Sequence, residues 1–244
     1  MSKRLKFFIG HLSISFLIAL VVVGVVFFIW YPSPLAKAVG VTHIFLMLMI
    51  IDVIVGPILG WLVYKEGKKT LRIDLTIIIL IQFFALSYGI YAIQQGRPVW
   101  LVFNVDQFDV VRNNEIYNKN VKQAEARFQG VSLLGPQFAA IKLSGNSEKK
   151  QQDMFDEIIN GISLSQRPER YVELTQAKNQ IQQRALPLVE LQQYNSKADV
   201  EKTLAKYTKA DAWLPLKANA VDMVVLVNKE SASIIKIVDL RPWK

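Results

Sequence analysis

Three long apolar stretches near the start of the chain constrain its fold more than any other feature. Phe7 to Trp30 holds no charged residue, Val41 to Tyr64 holds one acid, Asp52, and Ile73 to Ile93 has Asp74 near its start. Each reaches the roughly 20 residues a helix needs to cross a bilayer core. A segment that crosses lipid must satisfy its own backbone, so each is expected to be a transmembrane helix, over 7–30, 41–64 and 73–93. The mean hydropathy of +0.25 over 244 residues has its source here. A fully soluble protein is excluded.

Lys and Arg set the expected orientation. Lys3, Arg4, Lys6, Lys65, Lys68, Lys69 and Arg72 fall on one side, and only Lys37 falls on the other before Arg97. Cationic loops stay in the cytoplasm, so the N-terminus and the Lys65–Arg72 loop are predicted inside, and everything after Gly96 outside. A cleavable signal peptide fits less well, because the first apolar run far exceeds the usual 7–15 residues of such a signal. The expected division is a transmembrane part, 1–96, and an outer part, 97–244. The first carries 8 Lys+Arg against 3 Asp+Glu, the second 21 against 17, of the overall +9. The outer part is thus only mildly basic, and it lacks the basic face with interleaved aromatics that nucleic acid requires.

With about 148 residues, the outer part can build one core without disulfides. Val99–Val105 and Phe108–Val111 read as strands, and Glu115–Phe128 as a helix or mixed segment. Gln137–Leu143 reads as a strand after the Gly135-Pro136 break. Ser147–Asn160 reads as a helix capped by Ser147, Pro168–Leu186 as a Gln-rich helix, and Ser196–Tyr207 as a helix capped by Ser196. Asp222–Asn228 and Ser233–Asp239 read as a hairpin. The pattern predicts an α+β domain with a small antiparallel sheet packed on helices.

Catalytic signatures are scarce. The chain has no cysteine, so disulfides, thiolate metal sites and Cys nucleophiles are excluded. Its two histidines, His11 and His43, both precede the outer part, which removes Ser-His-Asp chemistry there. No metalloprotease, nucleophile-elbow or phosphate-loop motif is present. Acid groups such as Asp106/Asp109 and Asp153/Asp156/Glu157 read as solvated faces. The expectation is a protein that is not an enzyme and needs no cofactor or metal.

The apolar part offers more. Asp52 lies mid-helix, where a carboxylate costs about 2.5–3.5 kcal/mol on insertion scales and wants a partner or a proton. Gln82 lies at the matching depth of the third helix, so an Asp52–Gln82 hydrogen bond is expected, with Asp52 protonated. Asp52, Gly56 and Gly60 recur every four residues and form a small, polar stripe on one helix face. Such a stripe permits close approach, either of a neighbouring helix of this chain or of a partner's membrane helix. Pro57 should kink the second helix locally. Arg97 and Trp100 at the start of the outer part, and Arg241 and Trp243 at its end, are candidate anchors at the lipid interface. Packing inside the domain is the alternative for each tryptophan.

The run Asp52-x-x-x-Gly56-Pro57, Lys65-x-Gly67-Lys68-Lys69-x-Leu71-x-x-Asp74-Leu75, Gln82, Ala85-Leu86-x-Tyr88-Gly89, Arg97-Pro98 and Phe103-x-x-Asp106-x-Phe108, with the closing Arg241-Pro242-Trp243, resembles the TfpX/TfpZ family of type IV pilin accessory proteins. The resemblance is dense over 50–111 and thin over 112–220. It implies a bacterial inner-membrane protein with a periplasmic C-terminal domain. It also implies a role beside the pilin in assembly or surface display of type IV pili, and hence in twitching motility. The expected partners are a type IV pilin, the pilus assembly platform and the lipid bilayer; homo-oligomerisation stays open. A membrane-anchored periplasmic sensor that binds a small ligand is the alternative. The chain is not itself read as a pilin: after Gly10 stand His11 and Ser15 where an apolar residue and an acid would be needed.

Overall fold

The computed structural model describes residues 1–142, 151, 155 and 157–244. They divide into two compact units, Met1–Ala36 with Gly40–Gly96, and Lys37–Val39 with Arg97–Lys244.

The first unit is three helices, each long and apolar enough to cross a membrane: α1 (Lys3–Trp30), α2 (Val41–Val63) and α3 (Leu71–Gln95). Their large apolar side chains are mostly exposed, for example Phe16, Ile44, Phe83 and Phe84. So large an apolar surface suits lipid rather than water. Ser2 Oγ caps α1 by accepting the Leu5 N–H at 3.2 Å. Its last stretch, Val25–Trp30, widens to a π-helix, and the Tyr31 hydroxyl then donates to Ile93 O of α3 at 2.6 Å. At the other end, Arg4 lies 4.0 Å from the centroid of the Trp61 ring and donates to Trp61 O at 2.7 Å, which ties α1 to α2. Lys68 pairs with Asp74 at 2.7 Å in the first turn of α3, where a carboxylate faces the positive end of the helix dipole.

Among the described residues, the second unit is built on eight strands: β1 (Pro98–Asn104), β2 (Gln107–Arg112), β3 (Gln137–Ile141), β4 (Tyr171–Val172), β5 (Leu186–Pro187), β6 (Ala212–Lys217), β7 (Met223–Asn228) and β8 (Ser233–Val238). Their order is β4-β3-β1-β2-β6-β7-β8, with β5 also paired to β6. The expected small antiparallel sheet is corrected here. The sheet is a curled, mixed half-barrel, because β1 pairs β3 and β2 pairs β6 in parallel. Parallel pairs need long crossovers, and the segments between β2 and β3 and between β2 and β6 provide them.

Other expectations also shift. The first strand ends at Asn104, because a tight turn puts Val105 at φ +62. Of the two forms expected for Glu115–Phe128, helix or mixed segment, the structure has the mixed one, built of 3-10 turns. Pro168–Leu186 divides into a 3-10 turn, β4, a second 3-10 turn, the short helix α4 (Lys178–Arg184) and the first residue of β5. Ser196 caps α5 (Lys197–Leu204) as expected, its Oγ accepting the Asp199 N–H at 3.1 Å. The predicted cap Ser147, and Asp153 and Asp156, lie outside the described residues.

Buried clusters hold this unit, two of them prominent among the described residues. One gathers Trp100, Val102, Phe128 and Tyr171, and the other Trp213, Leu191, Leu226 and Val238. β1 is buried along Pro98–Phe103, so both of its faces are covered and alternation is lost.

Candidate functional site

The site begins with a proline. Pro57 has no N–H, and inside a helix its ring also crowds the carbonyl four residues back. The helix answers by widening to a π-helix over Ile51–Val55, with the Gly56 N–H donating to Ile51 O. In that register Asp52 O would look to residue 57 for a donor, and proline supplies none. The Gln82 side chain of α3 takes its place, and Nε2 donates to Asp52 O at 3.1 Å. Side chains that take over freed backbone groups are what let proline survive in apolar helices.

This refines the expected Asp52–Gln82 bond. The two residues do meet: the amide donates to the Asp52 main-chain carbonyl, and the Gln82 side chain also interacts with the Asp52 carboxyl. Gly56 makes the approach feasible, since a Cβ there would run into the Gln82 amide. Gly60 performs the same service for α1: a Cβ would lie 2.9 Å from Phe7 Cε1 and 3.3 Å from His11 Nδ1. The small-residue stripe is thus used inside the unit, Gly56 toward α3 and Gly60 toward α1. Of its two expected uses, packing within the unit is the one seen, with Asp52, Gly56, Pro57 and Gly60 all buried.

What remains open lies beside it. A cleft of about 440 Å³ runs between α1 and α3 with Asp52 contributed by α2. Its apolar walls include Ile14, Ile18, Ile79 and Phe83, and its polar part is His11, Ser15, Asp52 and Gln82, with Lys6 and Gly10 also at its lining. His11, Asp52 and Gln82 interact with one another there, while His11 Nδ1 and Gln82 Oε1 are buried and make no hydrogen bond of full geometry. Buried polar atoms of this kind want a partner, and an incoming group that supplies one is favoured. His11 and Ser15 were missed as site residues by sequence reasoning. The signal was present: they are polar residues four apart within the apolar run of α1, which puts them on one face.

The four expected interface anchors fall differently. Trp100 is fully buried and packs edge-on against Phe128 and Tyr171 at centroid distances of 5.6 and 5.4 Å. It is a core residue and not an anchor. Arg97 is also fully buried, and its Nη2 donates to Ser132 O at 2.6 Å. Arg241 donates to Asp222 O and to the Asp239 carboxylate. Trp243 Nε1 donates to Asp222 Oδ2 at 2.8 Å. The closing Arg-Pro-Trp is therefore stitched to Asp222 within the domain.

Several charges in the domain are paired, Arg112 with Glu115 among them at 2.7 Å. Burial pushes the Glu115 carboxyl up, but the bonds and charge of Arg112 and the Asn219 amide outweigh it and hold the pKa below the ordinary range. Burial, then the charges of Asp109 and Glu169, push the Tyr171 phenol well up, so it stays a donor, to Ser165 O. Among the described residues no group of three or more His, Asp or Glu is placed to hold a metal ion.

Comparison with known proteins bears on what such a cleft serves. The family described as fimbrial assembly protein FimB matches residues 1–40, which include α1 and its His11. The fimbrial assembly protein of Dichelobacter nodosus serogroup E1 is 30% identical over 229 residues, spanning 90% of this chain and 88% of its own length. This chain belongs to the fimbrial assembly protein family. The serogroup I protein of the same organism is 29% identical over 229 residues with the same coverage. The protein of serogroups C1 and C2 is 35% identical over 116 residues, 47% of this chain and 88% of its own. No solved structure matches. A fimbrial assembly protein with three apolar helices and a sheet domain has its open, partly polar cleft among the helices.

Proposed function

We propose that this chain is an inner-membrane accessory factor of the TfpX/TfpZ kind, which escorts a type IV pilin subunit into the growing pilus. It acts by binding and catalyses no reaction of its own. The N-terminus is cytoplasmic, in keeping with the seven-to-one asymmetry of Lys and Arg around the helices, and the sheet domain is periplasmic. The observation that carries the reading is the cleft between α1 and α3, with apolar walls and unsatisfied polar atoms at its floor. A pilin awaiting assembly is held in the membrane by one apolar helix. That helix enters the cleft against Ile14, Ile18, Ile79 and Phe83 and offers a polar group to His11 and Gln82. Twitching motility and surface piliation follow from the efficiency of this hand-over.

Photo-crosslinking side chains at Ile14, Ile18, Ile79 and Phe83 test it in living cells, with Ile44 and Phe16 as exposed controls. Pilin as the main adduct from the cleft positions alone is expected. Adducts only with the chain itself or with the assembly platform would move the action away from pilin escort.

A second reading, a periplasmic sensor, draws on a polar pocket of about 190 Å³ in the sheet domain, lined in part by Asn104, Gln107, Ser165 and Asn219. Under that reading, loss of the protein changes transcription of pilus genes, whereas escort leaves transcription unchanged and lowers piliation.

A further inference from the structure

We infer that the loop 130–136 of the sheet domain is a membrane-contact device, and that Leu133 and Leu134 enter the lipid surface on the domain's side of the bilayer. The loop is the run Gly130-Val131-Ser132-Leu133-Leu134-Gly135-Pro136. Leu133 is 72% exposed and Leu134 82%, the highest value for a large apolar side chain among the described residues of the domain.

Two exposed leucines alone would say little. Here everything around them is fixed. Val131 packs on the Trp100 cluster. The Ser132 carbonyl accepts from Arg97 Nη2 at 2.6 Å, and Ser132 Oγ accepts the Leu134 N–H at 3.0 Å, which closes a tight turn. Gly135 is buried at φ +111, a backbone conformation other residues rarely adopt, and Pro136 leads straight into β3. The loop is preorganised to present two apolar side chains and little else, so seating them in an apolar medium orders nothing further.

The place of the loop names the medium. Arg97 follows the last residue of α3, Gln95, with only Gly96 between them. Two residues of chain span at most about 7 Å. α3 has 25 residues, about 37 Å at 1.5 Å per residue, longer than the roughly 30 Å hydrocarbon core. A helix of that length can carry its end to or beyond the edge of the core, and the Arg97 clamp ties the loop to the chain just past that end. A loop clamped to the residue that directly follows a candidate membrane helix has lipid as the apolar medium closest to it along the chain. Leucine at the edge of the core gains from burial without the penalty of a charge. The inference rests on α3 crossing the membrane and is independent of the pilus role.

The chain has no cysteine, so Leu133→Cys and Leu134→Cys each supply a single thiol for an environment-sensitive fluorophore on the full-length protein. The protein is placed in vesicles of phosphatidylethanolamine and phosphatidylglycerol. Phe84→Cys, on the exposed face of α3, is the lipid control. Asp106→Cys is the water control, at the far end of β1 and about 20 Å from Arg97 at 3.3 Å per residue. Labels at both leucine positions are expected to shift to the blue, to be quenched by a nitroxide carried on the lipid, and to resist aqueous iodide as the Phe84→Cys label does. Iodide quenching equal to that of the Asp106→Cys label would overturn the inference. So would protection that depends on protein density in the vesicle, which would assign the loop to a second copy. If the Phe84→Cys label is itself open to iodide, α3 does not span and the inference falls with it.

Discussion

Pro57 and Pro215 sit in the two halves of the molecule, and each removes an N–H from a regular element. In α2 the loss disturbs a whole turn: the helix widens, a carbonyl is freed, and a glutamine from α3 must reach across to take it. In β6 the loss is absorbed locally. One edge of β6 pairs with β5 at Ala212 and Trp213 and with β2 at Leu216 and Lys217, and Pro215 falls in the gap between them. A proline at a break in the ladder forfeits nothing. The lesson concerns solvent. The domain tolerates unpaired backbone where water can reach it, whereas an apolar helix must import a donor. Polar side chains among the helices are therefore concentrated where backbone geometry needs them, and the candidate cleft grows from that need.

The largest expected effect lies on the domain side of this comparison. Trp100→Ala removes a fully buried ring that touches Phe128 and Tyr171, and a loss of about 3–5 kcal/mol is expected. Limited proteolysis should then degrade the domain while the helical part survives, and a resistant domain would show that the core does not depend on this ring. Next comes Gly56→Leu, which drives a side chain into the Gln82 amide. Overpacking of this kind costs about 1–3 kcal/mol, readable as a lowered unfolding midpoint in detergent titrations.

Gln82→Leu should cost about 1 kcal/mol, near the range measured for hydrogen bonds between membrane helices. The sharper measurement pairs it with Pro57→Ala, which restores the missing N–H. In that background Gln82→Leu should become nearly neutral; equal costs in both backgrounds would disprove the proline–glutamine linkage. The smallest effect concerns Glu115. Its pKa is lower folded than unfolded, so its contribution is full above the unfolded value and fades as pH falls through the folded one. Glu115→Gln should flatten acid stability below about pH 4.5 by less than about 1 kcal/mol, the range of partly exposed ion pairs. A thermal melt series across acid pH in both proteins reads the difference.

Much of this architecture was legible in the chain. The apolar runs gave all three helices, because twenty consecutive apolar residues leave few alternatives. The β7–β8 hairpin and the Ser196 cap were equally plain, since each rests on local chemistry. Long-range pairing was hidden. β6 carries a proline and was not read as a strand, and β4 and β5 have two residues each, too few for any periodicity. The helix expected over Pro168–Leu186 gave way where Tyr171 and Val172 were drawn into pairing with β3. In the site, Asp52, Gly56 and Gln82 were visible as polar or small residues in apolar surroundings. That Gln82 serves a carbonyl was not, because the orphan is created by backbone geometry. Trp100 read either as an anchor beside α3 or as a core residue, and nothing in the local pattern singled out the exposed pair Leu133-Leu134.

The order of strands also has a consequence in time. β2 lies mid-sheet, and its parallel partner β6 is separated from it by about a hundred residues. At 5–20 residues per second, synthesis leaves that interval open for roughly 5–20 s. Until Ala212–Lys217 emerges, a nascent chain carries β1, β2 and β3 with a bare strand edge, the kind of surface on which chains stick to one another. A truncation anywhere in that interval makes the exposure permanent, so the segment from Ala212 onward guards the middle of the chain against sticking.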